Sequence, residues 1–284
     1  MINALLLSLA ASGNAAQKVL KKYFSGRSGN KGAFIFSAGS VLTACLFFIA
    51  SGGFSFNFNA AVIPYSLGFA LTYGAAVVFG FLSIRDGSLS LTSLISSYSL
   101  TIPTFYGLIF LGEDADPFFF LGFALLMVSL FLMNSKHGEV KITLRWVIYV
   151  ALSFLGNGIC ATVQAAQQRA FGGEYKSEFM ILALALVALT FIVSAYFTER
   201  EDIVPCVKVG GHLMVICGLA NGVVNLTIML LVTRMRTALI YPIISAGGII
   251  LTWLVSKLGY KENLTKKQNA ALIFGIISVV LMNL

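Results

Sequence analysis

Long apolar stretches follow one another along almost the whole chain, each ended by a short cluster of charged residues, Gly or Pro. A helix needs roughly 20 apolar residues to cross the hydrocarbon core of a bilayer. Charged residues make up 11% of the 284 positions, whereas soluble domains carry about 25%. The pattern therefore predicts a membrane protein, and the stretches leave no room for a separate soluble domain.

Ten such stretches can be placed, with boundaries good to a few residues. They run near Ile2 to Leu20, Gly32 to Gly53, Ala60 to Ile84, Ser88 to Leu111, Pro117 to Asn134, Trp146 to Gln168, Ser177 to Thr198, Gly210 to Thr233, Thr237 to Leu258 and Gln268 to Leu284. They are continuous rather than alternating and exceed the roughly ten residues of an outer-membrane barrel strand. We therefore predict an all-α, multi-pass protein with ten transmembrane helices in the cell membrane, plasma or inner.

The first stretch has the length of an export signal but lacks basic residues before its apolar part, because the first lysine is Lys18. We therefore expect a retained helix. It is also the least apolar of the ten, with Asn3, Ser8, Asn14 and Gln17 among its residues.

Basic residues are distributed unevenly between the two sides of this predicted bundle. Fifteen of the 19 Lys and Arg residues lie on the side of the first, third, fifth, seventh and ninth connections. The opposite side, with both termini, holds only Arg169, Lys176, Arg234 and Arg236. Since Lys and Arg concentrate in cytoplasmic loops, this distribution predicts termini outside the cytoplasm, and the net charge of +8 is no sign of nucleic-acid binding.

The chain resembles itself when it is shifted by 149 positions. Without a gap, this offset matches Leu82 with Leu231, Arg85 with Arg234, Ile95 with Ile244, Ser96 with Ser245 and Glu113 with Glu262. The fifth and tenth stretches share a closing Ser-x-x-Leu-Met-Asn, at 129–134 and 278–283. Chance agreement in a Leu- and Ser-rich chain is the alternative. The offset predicts a first repeat at 1–135, a linker at 136–145 and a second repeat at 146–284.

Five crossings in each repeat is an odd number, so the second copy enters the membrane upside down relative to the first. Inverted repeats supply two similar conformations whose exchange converts an outward-open cavity into an inward-open one. The count therefore predicts alternating access around a central cavity.

Short motifs at equivalent places in the two halves carry a resemblance to a known family. They are Leu111-Gly112-Glu113 with Gly122, and Lys261-Glu262-Asn263-Leu264-Thr265 with Gly275. In these the chain resembles the drug/metabolite transporter superfamily in its ten-helix, EamA-like form, over nearly its whole length. The resemblance implies a carrier of small solutes with two inverted five-helix units. It departs from the family in one respect: members commonly have cytoplasmic termini and a basic loop between helices two and three, whereas residues 51–61 carry no charge.

All 11 acidic residues fall in predicted connections or at helix ends. A proton-coupled pump usually relies on an ionisable group inside the membrane, and a cation leaving water needs a counter-charge. We therefore expect an uncharged, zwitterionic or weakly charged solute, carried by a facilitator or exchanger.

The predicted membrane interior contains neutral polar side chains. The candidate substrate-binding residues are Asn14, Gln17, Tyr73, Tyr98, Asn157, Gln164, Asn221 and Asn225. Spacings of three, four and seven place the amides of one helix on one face. An amide in hydrocarbon needs a partner, so each should contact another helix, water or substrate. For any single residue, a bond between helices is as good an interpretation as substrate binding.

Gln17 and Gln164 occupy similar places in the two repeats, since a shift of 147 superimposes them. We hypothesise that both contact the substrate near the midplane, with Asn14, Asn157 and Asn221 around them. Tyr73 and Tyr98 offer an aromatic face with a hydroxyl group. Pro103 and Pro242 can kink helices four and nine.

The remaining sequence features predict no further chemistry. The four cysteines lack metal-site spacing and are expected to be buried, and His137 and His212 lie at predicted helix ends. No metal, cofactor or catalytic residue is predicted, and an enzyme is not expected. Gly218 and Gly222 have the Gly-x-x-x-Gly spacing, which we assign to packing within a monomer rather than to dimerisation. The expected partners are a small-molecule substrate and membrane lipid, and a flippase for a lipid-linked carrier is the alternative function.

Overall fold

The computed structural model describes residues 2–29, 31–53, 57, 59–86, 92, 95–96, 98–134, 143–259 and 266–282. Within these ranges the chain is helical and forms no strand. The α-helices are α1 (Ile2–Ser28), α2 (Ala33–Ser51), α3 (Ile63–Asp86), α4 (Thr101–Phe110), α5 (Pro117–Asn134), α6 (Leu144–Ala170), α7 (Lys176–Thr198), α8 (Ile203–Val232), α9 (Thr237–Gly259) and α10 (Lys266–Met282). Two 3-10 helices, Ala60–Val62 and Tyr98–Leu100, precede α3 and α4. The prediction of an all-helical membrane protein is confirmed at this level.

Five helices in the described ranges are long and apolar enough to span a bilayer: α2, α3 with its preceding 3-10 turn, α6, α7 and α8. Shorter apolar helical segments occur at Pro117–Leu132, Thr237–Gly248 and Asn269–Met282. Each predicted stretch overlaps a helix, while the number of crossings stays a prediction. Part of the fourth stretch, Glu139, Glu262 and His137 lie outside the described residues.

Several boundaries differ from those predicted. Helix α1 continues to Ser28, and α8 begins at Ile203. The extension of α1, residues 21–28, is polar and basic, which hydropathy alone excludes from a membrane helix. The extension of α8, residues 203–209, is apolar except for Lys208 and has Pro205 in the first helical turn, where proline is tolerated. His212 consequently lies well inside α8. The prediction that it lies at a helix end is wrong. Pro103 lies in the first turn of α4, where no intrahelical N–H bond is lost, while Pro242 lies inside α9.

Local sequence sets several helix starts. Asp116 precedes Pro117, and its Oδ1 accepts the Phe119 N–H at 2.8 Å, so α5 begins with a capping residue followed by a proline at its first position. At α6 the Thr143 hydroxyl oxygen accepts the Trp146 N–H at 3.2 Å. At α2 the start is capped from a distance: Phe34 and Ile35 donate their N–H groups to the carboxylate of Glu199, at 3.0–3.1 Å.

The helices pack in pairs that connect the two halves of the chain. Helix α3 lies along α6, α1 lies along α8, and α2 packs between α7 and α8. Helix α5 pairs with α10. The largest core cluster joins α2, α3 and α7 and includes the fully buried Phe48, Phe179 and Phe191.

Small residues allow close approach in these pairs. A Cβ on Gly218 would lie 2.3 Å from the Ser40 carbonyl oxygen of α2, and one on Gly222 would lie 2.5 Å from the Phe47 ring. The Gly-x-x-x-Gly motif therefore packs against α2 of the same chain, while the monomeric state stays a prediction. The four cysteines are free and buried, as expected.

Candidate functional site

A chain of hydrogen-bonded amides crosses the middle of the bundle. Asn221 Nδ2 donates to Gln17 Oε1 at 3.1 Å, which joins α8 to α1. Asn225 Nδ2 donates to Asn221 Oδ1 at 3.0 Å. Gln164 Nε2 donates to Asn225 Oδ1 at 3.2 Å, which adds α6. Four of the eight predicted site residues therefore form one connected group.

These amides bond the helices together, which is the interpretation left open beside substrate binding. Gln17 and Gln164 are 8% and 3% exposed, whereas Asn221 and Asn225 are partly exposed. Gln17 Nε2 and Gln164 Oε1 lie at the two ends of this amide chain. The hypothesis that both glutamines face the interior is consistent with this arrangement, and their contact with a solute stays a prediction.

The other predicted site residues lie at different distances from the amide chain. Tyr73 lies near Asn221, and its ring packs in the core cluster against Phe69 and Phe191. Asn157 Nδ2 donates to Ser153 O at 3.0 Å, seven residues before Gln164 on α6, and Asn14 is partly exposed on α1. Tyr98 lies elsewhere: its hydroxyl donates to Met127 O at 3.0 Å, in the cluster between α5 and α9.

A cavity of about 410 Å³ lies beside the amide chain. It is lined by the C-terminal part of α1, the start of α2, the second half of α3, Thr92, Ser96 and the first half of α6. Asn157 lines it, so Gln164 is two helical turns, roughly 10 Å, further along α6. Lys21 also lines it, one turn beyond Gln17 on α1. The cavity therefore occupies one end of the bundle, and the amide chain lies on its inner side.

The charges at the cavity are basic. Lys21 and Lys31 line it, and its lining contains no acidic residue among those described. Lys31 donates to Asp202 at 3.0 Å, and this hydrogen bond raises the pKa of the lysine above its ordinary value. No acidic partner of Lys21 occurs in the described part of the chain. Among the residues whose side chains the structure describes, the exposed Lys21 therefore adds to the cavity a positive charge that no carboxylate pairs with.

At the opposite end of the bundle a buried carboxylate joins several segments, beside a surface pocket of about 390 Å³ that Glu113 and Arg169 help to line. Glu113, in the connection after α4, accepts the N–H groups of Thr237 and Ala238 at 2.7 and 2.8 Å and so caps α9. Arg169, near the end of α6, donates to the same carboxylate at 3.0 Å. The Glu113 side chain is 8% exposed. One side chain thus connects three segments of the chain at this end.

The nine acidic residues that the structure describes all lie between helices or at helix ends, as predicted. Sequence reasoning missed the cavity residues Lys21, Thr92 and Ser96, because it assigned Lys21 only to orientation. A signal was available: Asn14, Gln17 and Lys21 are spaced by three and four, which places them on one helical face. Nothing in the sequence distinguishes Thr92 and Ser96 from the many other hydroxyl residues.

No family model and no curated protein matches the chain. Its fold is similar to that of a protein with a solved crystal structure. The match covers 98% of this chain and 98% of the other, with a TM-score of 0.78 and 14% sequence identity. At this identity the likeness shows the fold alone.

Proposed function

We propose that the protein is a secondary transporter that moves a small solute across the cell membrane by alternating access. In this proposal it has ten transmembrane helices in two inverted five-helix repeats, as in the drug/metabolite transporter superfamily that it resembles in sequence. Its five long apolar helices and its cavity, which is largely apolar but lined also by Lys21, Ser153 and Asn157, support this function.

The pairing of the helices supports the internal repeat. If each helix of the first half is exchanged with the one five places later, the α3–α6 pair becomes α8–α1. The α2–α8 pair becomes α7–α3, and the α1–α9 pair becomes α6–α4. All six contacts occur. The α2–α7, α4–α9 and α5–α10 contacts also occur, and each maps onto itself.

The crossing of α5 and α10 is compatible with the same symmetry. Ser129 Oγ donates to Ala271 O at 2.6 Å. The offset of 149 carries this pair to Ser278 and Gly122, which also lie in contact: a Cβ on Gly122 would lie 2.8 Å from Ser278 O. The two helices are antiparallel, and this exchange preserves the register of any antiparallel pair, so the support for the repeat comes from the sequence offset and the pairing of the helices.

The observation that carries the proposal is a cavity at one end of the bundle, with the amide chain further in and an ion pair between segments at the other end. The cavity reaches Asn157, the amide chain lies further in, and the Glu113–Arg169 pair joins segments at the other end. This arrangement is what one state of an alternating-access carrier requires. Because no acidic residue lines the cavity among those described, a facilitator or exchanger fits better than a proton-coupled pump.

The test is counterflow in proteoliposomes loaded with one unlabelled solute at a time from a panel of organic acids, amino acids, sugars, nucleosides and amines. We expect the external labelled form of at least one solute to accumulate transiently. A flippase for a lipid-linked carrier would leave the whole panel untouched but would move a fluorescent lipid analogue between leaflets. Failure of both assays would contradict the proposal.

A further inference from the structure

The lining of the cavity favours one class of solute, and this inference rests on the proposed transport function. Lys31 is matched by Asp202, so its charge is neutralised at the rim. Lys21 has no acidic partner in the described part of the chain. A ligand with one negative charge would balance Lys21, whereas a cation would meet uncompensated repulsion.

The hydroxyl group of Thr92 adds a second, independent observation. Thr92 lines the cavity and is 2% exposed, and its Oγ1 has no hydrogen-bond partner among the residues that the structure describes. A buried hydroxyl without a partner is costly, and a ligand oxygen would supply the missing acceptor. The hydroxyls of Ser37 and Ser153 also line the cavity, but they already donate to Ala33 O and Ala76 O. Unlike the Thr92 hydroxyl, they would have to break a hydrogen bond to donate to a ligand.

The rest of the wall is aromatic and apolar. Phe24, Phe36 and Phe81 line the cavity, and the first two stack with ring centroids 4.4 Å apart. A volume of about 410 Å³ falls in the range of roughly 300–1,000 Å³ that is usual for small-molecule sites. The ligand therefore needs an apolar body as well as its charged group.

We propose that this cavity binds organic monocarboxylates, with the carboxylate at Lys21 and Thr92 and the apolar body against the phenylalanines. An amino acid fits less well, because its ammonium group would find no carboxylate among the described residues of the lining. A dianion such as a phosphate monoester would leave one of its charges unpaired.

The experiment measures equilibrium binding of labelled phenylacetate to the full chain in lipid nanodiscs at neutral pH. Three analogues with the same phenyl ring compete: phenylacetamide, which is neutral and of similar shape, 2-phenylethylamine, which is cationic, and phenylalanine, which is a larger zwitterion. We expect phenylacetate to bind roughly tenfold more tightly than any of them, as a hydrogen bond to a charged group allows. Equal or tighter binding of any competitor would overturn the proposal.

Variants locate the charge that is responsible. Lys21→Gln should weaken phenylacetate binding roughly tenfold, and Lys21→Arg should restore most of it. Lys22→Gln is the matched control, since Lys22 neighbours Lys21 but does not line the cavity, and it should bind as the wild type does. Phenylacetate binding that is unchanged in Lys21→Gln would contradict the assignment.

The outcomes distinguish a failure of the monocarboxylate inference from a failure of the proposed transport function. If a sugar, nucleoside or amine is carried in liposomes and phenylacetate does not bind, transport stands and the monocarboxylate inference is wrong. If nothing binds and nothing is carried, both fail.

Discussion

The carboxylate of Glu113 lies 3.0 Å from the guanidinium of Arg169 while it also accepts two backbone N–H groups at the start of α9. The two contacts differ in kind. The backbone bonds are mostly buried and satisfy donors that the helix itself cannot satisfy, whereas Arg169 has a side chain that is 36% exposed. Glu113 therefore acts first as a helix cap and second as an ion-pair partner.

Removal of the cap should cost more than removal of the pair. Glu113→Ala leaves the Thr237 and Ala238 N–H groups without their acceptor, and a lost cap costs about 1–2 kcal/mol. Arg169→Gln keeps both hydrogen bonds from the backbone to Glu113, so it should lower the free energy of unfolding by less. Thermal unfolding of both variants in detergent, followed by tryptophan fluorescence, shows which of them is less stable. An equal or larger loss of stability in Arg169→Gln would contradict the capping role of Glu113.

The start of α2 offers a second comparison of the same type. Glu199→Ala removes the acceptor of the Phe34 and Ile35 N–H groups and should lower the free energy of unfolding by about 1–2 kcal/mol. Asp202→Ala removes only the contact with Lys31, whose side chain is 63% exposed, and should leave the melting temperature unchanged because exposed pairs contribute little. Matching losses in the two variants would rule out the capping role.

The glycine face of α8 predicts a steric effect. A methyl group at Gly218 would meet the Ser40 carbonyl oxygen at 2.3 Å, so Gly218→Ala should separate α8 from α2 and lower the melting temperature. Gly211 has nothing within 4 Å of a Cβ, so Gly211→Ala should leave it unchanged or raise it slightly. Unfolding of both variants in the same experiment checks this, and an unaffected Gly218→Ala would show that the helices do not approach as described.

The amide chain predicts which polar residues matter for transport. Asn225 bonds both Gln164 and Asn221, so Asn225→Ala removes two partly buried hydrogen bonds in the middle of the amide chain. We expect it to slow counterflow at least roughly tenfold, since each such bond contributes about 1 kcal/mol. Gln17→Ala and Gln164→Ala, which remove its ends, should also slow it. Tyr98→Phe is the control, because Tyr98 bonds Met127 O away from the chain. Wild-type counterflow rates in all three amide variants would exclude a role for the amide chain in transport.

The sequence was sufficient to predict helices but not their ends or their contacts. Apolar runs locate α2 and α7 almost to the residue, since both begin and end at turns of Gly or charged residues. The polar final turns of α1 and the early start of α8 were missed because hydropathy cannot distinguish a helix that leaves the bilayer from a loop. Spacing placed Asn221 and Asn225 on one face. That Gln17 would bond one of them and Gln164 the other depends on how α1, α6 and α8 pack, which one sequence does not specify. Tyr98 was grouped with the site only because it is polar, and its partner in α5 gave no signal.

Access to the cavity from each side of the membrane tests alternating access most directly. Val77 lines the cavity, and the four native cysteines are buried, so Val77→Cys can be labelled selectively with a membrane-impermeant maleimide. In proteoliposomes of known orientation we predict rapid labelling from the cavity end without solute, and additional labelling from the opposite end when a transported solute is supplied. Labelling from neither end, or from the cavity end alone during active counterflow, would contradict the account.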